Sequence, residues 1–148
     1  MSDIERIRQA AAERAQQMKL PYAGALLPGE AHALMQAGAK LVDVRTRAEL
    51  DWVGRVPGAA LVEWNSYPEG RTNPAFLEQL AGVSAKDETV MFLCRSGNRS
   101  HFAAHTATEG GWRECYNVLQ GFEGDRDENR HRSSVNGWKH AGLPWIQG

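Results

Sequence analysis

The run Cys94-Arg95-Ser96-Gly97-Asn98-Arg99-Ser100 sets a nucleophilic sulfur beside groups that hold negative charge. It follows the apolar stretch Val90-Met91-Phe92-Leu93 and precedes a helical stretch starting near Asn98. The cysteine therefore falls at the carboxyl end of a buried strand. After it come a glycine for tight curvature, two guanidinium groups, and a helix start whose N–H groups point back toward the sulfur. Each of these favours an anion, and the same surroundings favour the thiolate, the reactive form of cysteine. A buried cysteine is by default a small hydrophobe. A core filler, however, has no need of two Arg, two Ser, an Asn and a Gly directly after it. The heptapeptide reads as an anion-binding cup with a nucleophile at its base.

The elements that position this cup alternate between strand and helix. Ser2 and Glu5 suggest a capping box for a helix over 3–19, ended by Pro21. Ala23–Leu26 reads as a short strand. Pro28 opens a helix with Ala31, Leu34 and Met35 inward and Gly38 as its stop. Leu41–Val44 reads as a buried strand, and Thr46 and Glu49 as a capping box for a short helix through Trp52. Strands follow at Ala60–Glu63, Thr89–Leu93 and Tyr116–Leu119. Asn73-Pro74 opens a helix through Leu80, the cysteine loop feeds a helix to Glu109, and a short helix near Trp138 finishes the chain. This alternation predicts an α/β fold with a mostly parallel sheet covered on both faces. Ligands of such sheets bind outside the carboxyl ends of the strands. The ends at Asp43-Val44-Arg45, Glu63-Trp64 and Leu93-Cys94 then share one rim with Gly121.

Size and charge narrow the function. A chain of 148 residues suits one domain,. A net charge of −1 gives no argument for nucleic acid or an acidic membrane surface,. No apolar run approaches the ~18 residues of a membrane span, and Met1 to Lys19 has no signal-peptide core. Two cysteines, Cys94 and Cys115, make no disulfide framework, so a reducing cytoplasm is the expected compartment,.

The ordered motifs resemble the single-domain rhodaneses, a sulfurtransferase family. In order they are Leu41-Val42-Asp43-Val44-Arg45, Glu49, Gly54-Arg55-Val56-Pro57-Gly58-Ala59, the loop Cys94 to Arg99, Asn117-Val118-Leu119-Gln120-Gly121, and Trp138 with Ala141-Gly142-Leu143-Pro144. They cover roughly residues 23–145. The resemblance implies a rhodanese-like parallel five-stranded sheet flanked by helices on both faces. It divides the chain into an N-terminal helical extension, 1–22, and a rhodanese-like domain, 23–148. It also implies that Cys94 carries a persulfide, taken from an anionic donor such as thiosulfate and passed to a thiol or cyanide acceptor, with no cofactor. Phosphatases sharing the fold resemble a pattern with five residues between Cys and Arg. Here four residues separate Cys94 from Arg99, a tighter loop that suits a sulfane sulfur better than phosphate. Two rivals remain: a non-catalytic interaction module, and a thiol redox or arsenate/phosphate enzyme.

The expected substrate loop is Arg95, Ser96, Gly97, Asn98, Arg99 and Ser100, supported by Asp43 and Arg45. Arg95 is assigned to the donor anion. Arg99 either faces the anion or pairs with Asp43, and the second is favoured. Arg45 either braces the rim or pairs with Glu49. Ser96 and Ser100 donate to the anion or cap the helix. His101 and His105 have metal-ligand spacing but no identifiable third ligand, so an ordinary helix face is expected. Cys115 belongs at the opposite rim. The stretch Glu123 to Gly137 departs from the family pattern, either as a solvated polar loop or as a flap beside the active-site rim.

Overall fold

A computed structural model describes residues 2–147; Met1 and Gly148, the ends of the two expected domain ranges, lie outside it. The elements are α1 Asp3–Met18, β1 Gly24–Leu26, α2 Pro28–Gln36, β2 Lys40–Asp43, α3 Arg47–Val53, β3 Ala60–Leu61, α4 Phe76–Ala81, β4 Thr89–Leu93, α5 Asn98–Glu109 and β5 Glu114–Val118. All five strands are parallel, in the order β1-β5-β4-β2-β3. The expected α/β sheet is thus present, with β4 at its centre.

The period of two along each strand builds the two cores. Val90, Phe92 and Cys94 join Val42, Val44, Phe76, Leu80 and Ala103 on the face covered by α4 and α5. Met91 and Leu93 join Leu26, Ala31, Leu34, Val118 and Trp138 on the other. Alternate residues point to opposite faces, so a central strand covered on both sides is apolar throughout. The Cys94 side chain accordingly points toward α5. On the opposite face α1 lies against β1. A Cβ on Gly24 would sit 2.8 Å from the Ala11 backbone, so glycine permits that approach. Arg14 clamps the helix there through paired bonds to Glu30 at 2.6 and 3.0 Å and one to Ala25 O at 2.9 Å.

Several boundaries differ from the sequence reading. The helix expected to open at Asn73-Pro74 begins at Phe76, with Ala75 before it, because Asn73 instead closes a turn by accepting from Ala75 N–H at 3.0 Å. The last strand runs Glu114–Val118 instead of Tyr116–Leu119, because Glu114 pairs with Thr89, whose hydroxyl donates to its carboxylate at 3.0 Å. The third strand is only Ala60–Leu61. Its ladder still continues through Val62 N–H to Asp43 O and Trp64 N–H to Val44 O, both 3.0 Å. The stretch at Trp138 forms turns and no helix, since Gly137 and Gly142 adopt left-handed φ of 105° and 75° and Pro144 follows. Trp138 is instead anchored by its indole N–H on Pro144 O at 2.8 Å.

Candidate active site

Cys94 directly follows β4 at the carboxyl rim and is 1% exposed. The chain turns through Gly97, whose φ of 107° lies in the region open to glycine, and α5 begins at the next residue,. That turn aims Gly97 N–H at Cys94 Sγ, 3.1 Å away. Ser100, one turn into α5, places its Oγ 3.2 Å from the same sulfur.

The backbone of the next rim segment closes the loop from below. Phe122 N–H donates to Cys94 O at 2.8 Å and Glu123 N–H to Arg95 O at 3.0 Å. Gly121, with φ 68°, makes this possible. A Cβ there would lie 2.5 Å from Cys94 O.

Asn117 defines the proton positions around the sulfur. Its Nδ2 donates to Gly97 O at 3.1 Å, which turns its Oδ1 toward Ser100. An amide oxygen only accepts. Ser100 therefore donates its one hydrogen to Asn117 Oδ1, at 2.5 Å. That leaves Ser100 Oγ an acceptor toward Cys94, matched to a thiol S–H. The loop amide of Gly97 favours charge on the sulfur; the Ser100–Asn117 pair as built does not add to it.

The guanidinium groups are not partnered as the sequence suggested. Asp43 pairs with Arg45, not with Arg99. Arg45 Nη2 lies 2.7 Å from Asp43 Oδ2, its Nε 3.0 Å from Oδ1, and its own backbone N–H donates to Oδ1 at 3.1 Å. Both residues are essentially unexposed. Arg45 also donates to Gly54 O at 2.9 Å and stacks 4.3 Å from the Phe122 ring centre. With Arg45 turned inward, Glu49 is left for Arg99, which grips it through two parallel bonds of 2.6 and 2.8 Å. Burial alone would raise the Glu49 carboxyl, but the Arg99 bonds and charge, with the Thr46 donors, hold it at about 2. Both faces of the capping box are present: Glu49 accepts from Thr46 N–H at 3.1 Å, and Thr46 Oγ1 accepts from Glu49 N–H at 3.3 Å.

Arg95 stands apart. It is exposed, and among the described residues its side chain makes no hydrogen bond or ion pair. It lines a cleft of about 450 Å³ with Glu49, Val53, Asn65, Tyr67, Arg99 and Glu123. Ser96 faces a second, polar cavity formed with the 123–137 loop. Asn98 is exposed at the first position of α5.

The remaining candidates lie elsewhere. Cys115 pairs in register with Val90, at the far end of β4 from Cys94, and burial pushes its thiol up. His101 Nδ1 bonds to Tyr22 OH at 2.8 Å, and His105 lies 3.3 Å from Glu109. Glu49 as the partner of Arg99 and Asn117 as the partner of Ser100 were missed from sequence. Both stood within quoted motifs, but neither pairing has a local signature.

The fold is thus a parallel α/β sheet with a cysteine loop at the carboxyl end of its central strand. The chain belongs to the rhodanese-like domain family, whose model matches residues 27–128. It is 43% identical to Rv0390 from M. tuberculosis, whose crystal structure superposes with a TM-score of 0.79 over 86% of this chain and 99% of that one. An uncharacterized protein of Rickettsia conorii is 38% identical over 109 residues, 72% of this chain and 82% of its own. Thiosulfate sulfurtransferase 16, chloroplastic, of Arabidopsis thaliana is 29% identical over 116 residues, 77% of this chain and 85% of its own. Among the described residues no helix is long and apolar enough to cross a membrane.

Proposed function

We propose that this protein is a sulfurtransferase that carries a sulfane sulfur on Cys94, with thiosulfate as a competent donor. The observation behind this reading is the Cys94 sulfur on the Gly97 amide, with the unpaired Arg95 guanidinium on the same short loop. The Cys94 thiolate attacks the outer sulfur of thiosulfate. The new S–S bond forms as the donor's S–S bond breaks, and sulfite leaves with that electron pair. Loop N–H groups and Arg95 hold the donor's charge and then the anionic persulfide. An acceptor thiolate or cyanide next takes the outer sulfur and returns Cys94 as a thiolate. No cofactor enters either step, and a reducing compartment keeps the thiol free.

A phosphate-processing reading asks the loop arginine to face the anion. Both terminal nitrogens of Arg99 are instead held by Glu49. Intact mass after incubation with thiosulfate tests the proposal. One added sulfur atom, lost on treatment with cyanide or dithiothreitol and never gained by Cys94→Ser, is the expected result. An unchanged mass in folded protein would overturn it and favour a non-catalytic module.

A further inference from the structure

Tyr22 is 6% exposed and takes no part in the sulfur-transfer steps. It lies ahead of residue 27, where the family model begins, and so stands outside the segment shared with the family. Ala23 N–H donates to Cys115 O at 3.0 Å, and Gly24 pairs with Tyr116. That seam carries Tyr22 alongside β5 into the core beneath α5. There its hydroxyl lies 2.8 Å from His101 Nδ1, with the two rings edge to face at 5.4 Å. His101 is half-buried and directly follows Ser100 on α5.

The same hydroxyl meets Asn117. Burial pushes the Tyr22 phenol up, and a hydrogen bond from the Asn117 side chain acts against it. A bond that favours the charged phenolate comes from a donor. The Asn117 atom is therefore Nδ2, which also serves Gly97 O at 3.1 Å. A side-chain amide has two N–H hydrogens; Gly97 O takes one and Tyr22 the other. The single Tyr22 hydrogen is left for His101 Nδ1, which accepts it. At the other end of the amide, Oδ1 accepts from Ser100, whose Oγ is 3.2 Å from Cys94 Sγ. The hydrogens thus point one way, from the Cys94 S–H through Ser100, Asn117 and Tyr22 to His101.

We propose that Tyr22 and His101 are positioning residues that hold resting Cys94 as a thiol by fixing this direction. The inference rests on Cys94 as the nucleophile of the sulfurtransferase reading. Without an acceptor at position 101, the Tyr22 hydrogen turns to the Asn117 oxygen and the amide turns over. Its N–H then faces Ser100, and the Ser100 hydrogen is released to the Cys94 sulfur, where it favours the thiolate. Gly97 is the N-cap of α5, so its carbonyl keeps the first backbone bond of the helix when the amide leaves,. An orphaned buried donor costs more than a carbonyl with one bond of two. The charges near the sulfur stay in place: Arg99 on Glu49, Asp43 on Arg45, and Arg95 exposed. Facing α5 from β5 are Cys115 and Asn117, and on α5 itself His105 lies against Glu109.

The test is the rate of Cys94 alkylation by iodoacetamide against pH, read by mass on the Cys94 peptide. His101→Phe keeps a ring against Tyr22 and removes the acceptor. It should react about tenfold faster than wild type near pH 6.5, equivalent to about one unit in the thiol midpoint, and no faster in strong alkali. Loss of an imidazolium charge alone would slow the reaction instead. In the Tyr22→Phe background, which has no hydrogen to redirect, His101→Phe should have no effect. His101→Asn, whose amide oxygen replaces Nδ1 as acceptor, should keep the wild-type rate. No gain in His101→Phe, or an equal gain with and without the Tyr22 hydroxyl, overturns the proposal. His101→Leu carries the same expectation and serves if His101→Phe does not fold. Alkylation needs no sulfur donor, so a failure to load from thiosulfate would count against the sulfurtransferase reading alone.

Discussion

Glu49→Gln isolates the charge of the Glu49–Arg99 pair while keeping an amide oxygen to accept from Thr46. The carboxyl stands at about 2 against an ordinary 4.5. At 1.36 kcal/mol per unit, ionised Glu49 contributes at most about 3 kcal/mol. The two side chains are 20% and 22% exposed, so water screens part of this. A loss of about 2 kcal/mol at neutral pH is expected, between the 0–1 of an exposed pair and the ~3–5 for breaking a buried one. For a chain of this length that lowers Tm by about 4–8 °C. The sign follows from the depressed carboxyl. Its contribution is complete above about pH 4.5 and is lost as pH falls through about 2,. Urea unfolding of wild type and Glu49→Gln at several pH values measures it. The difference between them should shrink by more than half from pH 7 to pH 3. A difference that stays constant would refute the charge account and assign Glu49 to helix capping or packing.

Other outcomes follow from the same geometry. Cys94→Ser should abolish thiosulfate:cyanide sulfur transfer in a folded protein, while Cys115→Ser, altered at the far end of the sheet, keeps most of it. Arg95→Ala should raise the KM for thiosulfate at least tenfold with little change in Tm, whereas Arg99→Ala should destabilise by about 3 kcal/mol by stranding Glu49; a kinetically silent Arg95→Ala would exchange their roles. Asn117→Ala frees the Ser100 hydrogen for the Cys94 sulfur, so iodoacetamide should alkylate Cys94 several-fold faster near pH 6.5 but no faster in strong alkali. Ser100→Ala in that background should remove the gain, which a merely loosened loop would retain. Gly121→Ala should cost about 2 kcal/mol or more in chemical unfolding, because its Cβ would meet Cys94 O at 2.5 Å.

The cysteine loop was legible because its parts are contiguous. An apolar strand, a glycine turn and a helix start fix where Cys94 lies; that the Gly97 amide is the one that reaches its sulfur is seen only in the fold. The Thr46–Glu49 box was legible for the same reason, since a cap is made within one helical turn. The rim shared by Asp43, Trp64 and Cys94 followed from the alternation of strand and helix, which forces strands of one sheet to run parallel. Partner choice among charges had no such local cause. Asp43 and Glu49 both arrive beside the loop, and sequence spacing offered Asp43 to Arg99 and Glu49 to Arg45, the reverse of the pairs that form. The fold decided between them by turning Arg45 inward under Phe122, where only Asp43 and Gly54 O meet its guanidinium. Asn117 likewise reaches Ser100 only once β5 lies beside β4. The 123–137 segment read either as a solvated polar loop or as a flap beside the rim. Its cavity exists because hydrogen bonds to Asp125 and Asp127 fold it back on the rim and leave three arginines facing Ser96, a product of contacts between residues up to 36 positions apart (96 to 132).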